Sequence, residues 1–271
     1  MRVLRAAALT VLATMLSLST IACGSTDNPS AATAAGTRPA GATPAAGPTV
    51  VASTSWVGAL AKAAGARNIT VIAPATIQHP PDFEPTPGDL VKVTGADYIL
   101  YSVFDGFAAK LKAAAGGAGR LVPVELENTP TAIRSEVTRL GAMFGTATAA
   151  TAWLSLFDSE YAALSGRVKA ALPTPAPTAV AHLWMAYWGA FAGLSVVGTY
   201  GPQPVSAGQL ADLSAKRPAL VLANAHLPSV NPDIPGSTRV EIINYPDASL
   251  DLLEVFRTNT GRIIAAFSAQ R

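Results

Sequence analysis

Two hydrophobic patterns alternate along most of this chain. Short runs rich in Val, Ile and Tyr have the look of buried strands, and between them apolar residues recur every three or four positions, as on one face of a helix. "PTVVAST" (Pro48 to Thr54), "NITVIAPA" (Asn68 to Ala75), "ADYILYS" (Ala96 to Ser102) and "RLVPVEL" (Arg120 to Leu126) predict four strands. "SWVGALAKAAGA", with Trp56, Leu60 and Ala63 at helical spacing, and "GFAAKLKAAAG" predict helices between them. Thr86 has the features of an N-cap, with Pro87 at the first helical position and Asp89 near the third, so a short helix is predicted through Val93.

The middle of the chain is helical. Ile133, Val137, Leu140 and Phe144 form one stripe, and Trp153, Phe157, Tyr161, Leu164, Val168 and Leu172 form a second, longer one. Gly145 separates the two helices, and "PTPAP" (Pro173 to Pro177) ends the second. Strand–helix alternation then resumes through "TAVAHLW", a helix near Tyr187 to Ala192, "LSVVGTY", "SAGQLADLSAK", "PALVLANA" and "STRVEIINYP". A final helix is predicted over Ser249 to Phe267, with Leu253, Phe256 and Ile263 inward. The fold class is therefore α/β: two lobes, each with a small, mostly parallel sheet flanked by helices, joined by one long linking helix. The uncharged stretch from Ala179 to Tyr200 is long enough to span a bilayer, but Gly193 and Gly198 break it where α/β turns belong. It reads better as strand, short aromatic helix and strand.

The first residues carry a different signal. Arg2 and Arg5 precede an apolar run from Ala6 to Ile21, the shape of a secretory signal. It ends in "STIAC", which resembles a lipobox, so Cys23 is read as a lipid attachment point. With no second cysteine, an internal disulfide is impossible. An Ala, Gly, Pro, Ser and Thr-rich segment follows, too poor in large apolar residues to offset its ordering entropy. The expected organisation is a signal peptide over 1–22, a lipid-anchored flexible linker over 23–48 and an N-terminal α/β lobe over 49–130. A helix with the long inter-lobe helix follows over 131–172, and a C-terminal α/β lobe over 173–271. The expected location is outside the cytoplasmic membrane, tethered to it. Without Arg2 and Arg5 the 19 basic residues become 17, equal to the 17 acidic ones. No basic stripe of the kind nucleic acid requires is present.

Ligands of parallel sheets bind beyond the carboxyl ends of the strands. His79, in the proline-stiffened "IQHPPDFEPTPGDL", follows the second strand and would project into that crevice. His182 and His226 also follow, or nearly follow, predicted strands. Asp247, in "NYPDAS", either serves such a site or caps the final helix.

"VVASTSW", "EPTPGDL", "ADYILY", "SAGQLADL" and "INYPDASLDLLEVFRTN" resemble the solute-binding proteins of zinc/manganese ABC importers, from about Val50 to Phe267. The resemblance implies a metal cleft between the lobes and a receptor that passes its ion to a permease and its ATPase, as a monomer and without catalysis. It implies ligands from four loops. His182, in "AHLWMAYWGAF", falls on the third, and Asp247 in the region of the fourth. Pro81 stands where the first histidine is expected, with His79 two positions earlier. Only Glu125, Glu127 and Asn128 follow the fourth strand, where a second histidine is expected, while "LANAH" supplies His226. His79, His182, His226 and Asp247 would make an N₃O site, which suits tetrahedral Zn²⁺; participation of Glu125 or Glu127 would move the balance toward Mn²⁺.

Two other readings compete. The proline at the first ligand position and the missing histidine are also what a relative binding a metal chelate or another small solute would show. A zinc hydrolase is disfavoured, since no H-E-x-x-H, G-x-S-x-G or nucleophilic cysteine is present. Trp184, Tyr187, Trp188 and Phe191 have helical spacing near His182 and read either as core or as an apolar wall around the site.

Overall fold

A computed structural model of the chain describes residues 47–116 and 120–268. The proposed signal segment, Cys23 and nearly all of the linker lie outside the described residues.

The first sheet is built from β1 (Thr49–Ala52), β2 (Asn68–Val71), β3 (Tyr98–Tyr101) and β4 (Arg120–Pro123), in the order β2-β1-β3-β4. The second uses β5 (Thr178–His182), β6 (Ser195–Tyr200), β7 (Leu220–Asn224) and β8 (Thr238–Ile242), in the order β6-β5-β7-β8. Both have the same topology, and every pairing in both is parallel. β1, β3, β5 and β7 are central strands made largely of apolar residues, and nearly all of their residues are buried. The two-lobe α/β expectation therefore holds, with sheets wholly rather than mostly parallel.

Helices α1 (Ser55–Ala63), α2 (Pro87–Val91) and α3 (Ala108–Ala115) belong to the first lobe; α6 (Tyr187–Ala192) and α7 (Ala207–Ala215) belong to the second. Between the lobes run α4 (Pro130–Phe144) and the 25-residue α5 (Ala147–Ala171), about 37 Å long at 1.5 Å per residue. Gly145 ends α4 in the left-handed conformation, where glycine has no Cβ penalty. The predicted capping at Thr86 is present: its Oγ1 accepts from Asp89 N, and Asp89 Oδ2 accepts from Thr86 N at 3.0 Å. α8 (Leu252–Ser268) starts three residues later than its apolar period suggests. The side chains of Asp247, Ser249 and Asp251 each accept from the backbone N–H two residues on, and these turns occupy the segment.

One apolar cluster joins the inner faces of both lobes: Val50, Trp56 and Leu100 from the first, Trp188, Leu222 and Phe256 from the second, with Phe157 of α5 between. The rings of Phe157 and Trp188 each contact that of Phe256, at 5.5 and 5.1 Å between centroids. The lobes thus share a core, and a packed interior resists large relative displacement. Residues 179–200 form most of β5, a 3₁₀ turn (Leu183–Met185), α6 and β6, and no helix among the described residues is long and apolar enough to cross a membrane.

Candidate functional site

Parallel strands place their carboxyl ends on one side, and in each sheet the order reverses at the central pair, β1 with β3 and β5 with β7. The loops leaving those ends surround a cavity of about 760 Å³. His79 and Pro81 come from the loop after β2, Phe104 from that after β3, and Glu125, Glu127 and Asn128 from that after β4. The second lobe contributes Trp184 and Tyr187 after β5, Asn224 and His226 at β7, and Asn244 and Tyr245 after β8. Trp56, on the first turn of α1, completes the wall.

The loop carrying His79 is stiff for reasons visible in its sequence. Pro80 and Pro81 open a 3₁₀ turn, are buried, and leave Pro81 O to accept from Gly106 N at 2.9 Å, which ties this loop to the one carrying Phe104. That second loop is held by Asp105, whose Oδ2 accepts from Ser102 N at 2.8 Å. Asp105 is almost fully buried, and burial raises its carboxyl above the usual range. His79 Nδ1 lies 2.8 Å from Asp82 Oδ2, although the approach falls short of a hydrogen bond in direction. No hydrogen bond to Nε2 is present among the described residues. A carboxylate behind Nδ1 is the arrangement that orients an imidazole to offer Nε2 to a metal.

His226 is differently placed. Its Nδ1 donates to Gln78 O at 2.9 Å, and its Nε2 accepts from Asn244 N at 3.0 Å and Tyr245 N at 3.3 Å. Accepting at Nε2 places the proton on Nδ1, so both ring nitrogens are engaged. Burial pushes this imidazole down to about 4, with nearby His79 and Arg262 adding to the shift and the Gln78 bond opposing it. Gln78 also donates from Nε2 to Ala225 O at 3.2 Å. Gln78 stands in the first lobe and Ala225 with His226 in the second, so the pair forms a clasp across the cleft.

His182 is fully buried and is not part of the cavity wall. Its Nδ1 accepts from Trp184 N at 3.3 Å, its ring packs between Trp184 and Tyr200, and its Nε2 has no partner. Burial holds it near 4 and therefore neutral. Gly201, at φ +85°, passes so close that a Cβ there would lie 2.6 Å from Nε2. Asp247 is exposed, away from the wall, with Oδ1 accepting from Ser249 N at 2.9 Å. Glu125 Oε1 folds back onto Leu126 N and Glu127 N at 2.9 and 3.2 Å. The structure thus brings His79, His226, Glu125 and Glu127 to one cavity and leaves His182 and Asp247 outside it. Among the described residues no three His, Cys, Asp or Glu side chains converge as a cation site.

Trp56, Phe104, Asn224, Asn244 and Tyr245 are lining residues that the sequence did not single out for the site. Asn224 lies two residues before a singled-out histidine and Asn244 three before Asp247, so position at a strand's end was the available signal. Asn224 Oδ1 accepts from His226 N at 2.9 Å and thereby shapes the clasp.

No protein-family model matches the chain, and no curated protein does. Solved structures do. The laminin-binding protein Lmb of Streptococcus agalactiae, described as bifunctional with adhesin and metal transporting activity, is 17% identical with a TM-score of 0.58 over 82% of this chain and 100% of its own. The fold is theirs. A zinc-bound deletion mutant of ZnuA matches at 20% identity and TM-score 0.56, covering 82% of this chain and 99% of that one. FpvC, the solute-binding protein of Pseudomonas aeruginosa in complex with Mn²⁺, matches at 16% and 0.57, covering 83% and 99%. At these identities the likeness is one of architecture.

Proposed function

We propose that the protein is the extracytoplasmic receptor of an ABC importer, capturing a divalent transition metal in the inter-lobe cleft and passing it to a permease. The observation that carries the reading is His79: a cleft imidazole with Asp82 behind Nδ1 and no hydrogen bond on Nε2, in the same cavity as Glu125 and Glu127. Neighbours sharing this fold include ones whose structures hold zinc or Mn²⁺. The role is binding and release, with no bond made or broken. Cys23 would carry the lipid tether after removal of 1–22, with 23–48 as linker, and the chain would act as a monomer beside its permease and ATPase.

The ligand set differs from the N₃O arrangement the sequence suggests. His226 is engaged at both ring nitrogens and His182 sits behind the wall, so His79 with Glu125 or Glu127 are the donors in reach of cargo. One imidazole with carboxylates removes the argument for zinc over manganese, and Mn²⁺ competes on equal terms. Titrating the metal-free chain with Zn²⁺ and Mn²⁺ by calorimetry tests the reading. Binding tighter than about micromolar is expected, weakened at least about tenfold by His79→Ala, and binding of neither ion at that level would overturn it.

A further inference from the structure

We propose that the metal enters this cleft as a chelate, a divalent ion already held by an aromatic nitrogen or oxygen chelator, and that the cavity is shaped for the organic part. The inference rests on the metal-receptor reading and names its substrate class. Four observations lead to it.

Protein donors are too few. A transition metal takes four to six ligands, and here one imidazole and two carboxylates share the cavity without converging. Water or donors brought by the cargo must fill the remaining positions, and a chelator supplies several at once. The cavity is also too large for an ion. About 760 Å³ corresponds to roughly 25 waters at about 30 Å³ each, within the range of sites for small organic molecules.

Its surface is of the wrong kind for a hydrated ion. Trp56, Tyr187 and Tyr245 line it, and burial raises both tyrosine phenols, so these groups present neutral aromatic area. At the rim Phe104 of the first lobe is 70% exposed and Trp184 of the second 46% exposed, although both line the cavity. Large apolar side chains left in water on both sides of a cleft mark where an apolar ligand is received.

Finally, the wall holds hydrogen-bonding atoms that no protein group satisfies. Trp56 Nε1 and Asn244 Oδ1 are buried without a partner, a donor and an acceptor on residues of the two opposing lobes. Orphaned buried polar atoms carry a desolvation cost that a ligand with both functions would remove. The acidic side chains on the wall are Glu125 and Glu127, which favour a complex retaining positive charge.

The test uses calorimetry on the purified full chain at pH 7.5 with three probes: Zn²⁺ alone, 1,10-phenanthroline alone, and their one-to-one complex. The complex is expected to bind at least tenfold tighter than either component. Phe104→Ala and Trp184→Ala, both at exposed positions and so tolerated by the fold, should each lower the ratio of complex to bare-zinc affinity at least fivefold. Val103→Ala, a neighbouring exposed position outside the cavity, should leave that ratio alone. A complex binding no tighter than Zn²⁺ alone overturns the chelate proposal and leaves the receptor reading standing. Phenanthroline binding as tightly without zinc as with it overturns the chelate proposal, and failure of all three probes overturns both.

Discussion

Replacing His226 by phenylalanine separates two roles that the sequence alone could not, metal ligand or lobe clasp. The ring makes one hydrogen bond across the cleft, to Gln78 O, and accepts from two backbone N–H groups within its own lobe. Phenylalanine keeps the planar volume and the edge-on packing against Tyr245 but deletes all three bonds. Asn244 is 7% exposed, so its N–H is left without water or protein. An orphaned buried donor costs about 1–3 kcal/mol, and a lost hydrogen bond about 1 kcal/mol more, giving a total of about 2–4 kcal/mol. The cross-cleft bond alone is worth about 1 kcal/mol, about fivefold in an equilibrium constant, so metal affinity should fall by no more than about that factor. A ligand predicts the reverse split. Even groups that merely orient a ligand cost 10–100-fold in affinity, and a ligand itself costs more, while the metal-free chain is little affected. Urea denaturation of the metal-free protein, paired with equilibrium dialysis against zinc, measures both quantities. Stability within about 0.5 kcal/mol of wild type, together with a hundredfold loss of affinity, would refute the clasp.

Other consequences can be checked with the same denaturation assay. Gly201→Ala places a Cβ 2.6 Å from His182 Nε2 at φ +85°, so about 2–5 kcal/mol should be lost from strain and overpacking; a change under 1 kcal/mol would mean that the ring moves freely. His182, held near 4 against an ordinary 6.5, contributes stability that is fully present above pH 6.5 and is lost as pH falls toward 4. Between pH 7.5 and 5.0 that is about 2 kcal/mol, and a His182→Gln variant should show a correspondingly flatter profile; equal slopes for the two proteins would be evidence against a buried neutral imidazole. Gly141→Ala brings a Cβ to 2.5 Å from Ala150 Cβ where α4 meets α5, and should cost about 1–2 kcal/mol net of the helix-propensity gain, read as a lower urea midpoint at unchanged slope.

The fold was legible because its signals are local and agree with one another. Short apolar runs such as Val50–Val51 and Val221–Leu222 sit at central strands, the stripe through Phe157 and Val168 sits on the long helix, and Thr86–Pro87–Asp89 caps as its residue types dictate. Element ends were less legible: α8 begins late because Asp247, Ser249 and Asp251 turn on their own backbone, and short polar side chains compete with helix in ways that periodicity does not register. The site divides along the same line. That His79 and His226 reach one cavity followed from their positions after β2 and β7, since parallel topology delivers such loops to one edge. What each imidazole does there depends on contacts made from far away in sequence. Gln78 approaches His226 across 148 positions, and Gly201 closes on His182 from the end of β6. Residue identity says that an imidazole is able to bind a metal, but only the partner on each ring nitrogen says whether a lone pair remains for it. By that criterion His79 alone of the three combines a place on the cavity wall with an Nε2 that makes no hydrogen bond among the described residues, and the aromatic lining beside it is the part of the site that histidine counting could not have found.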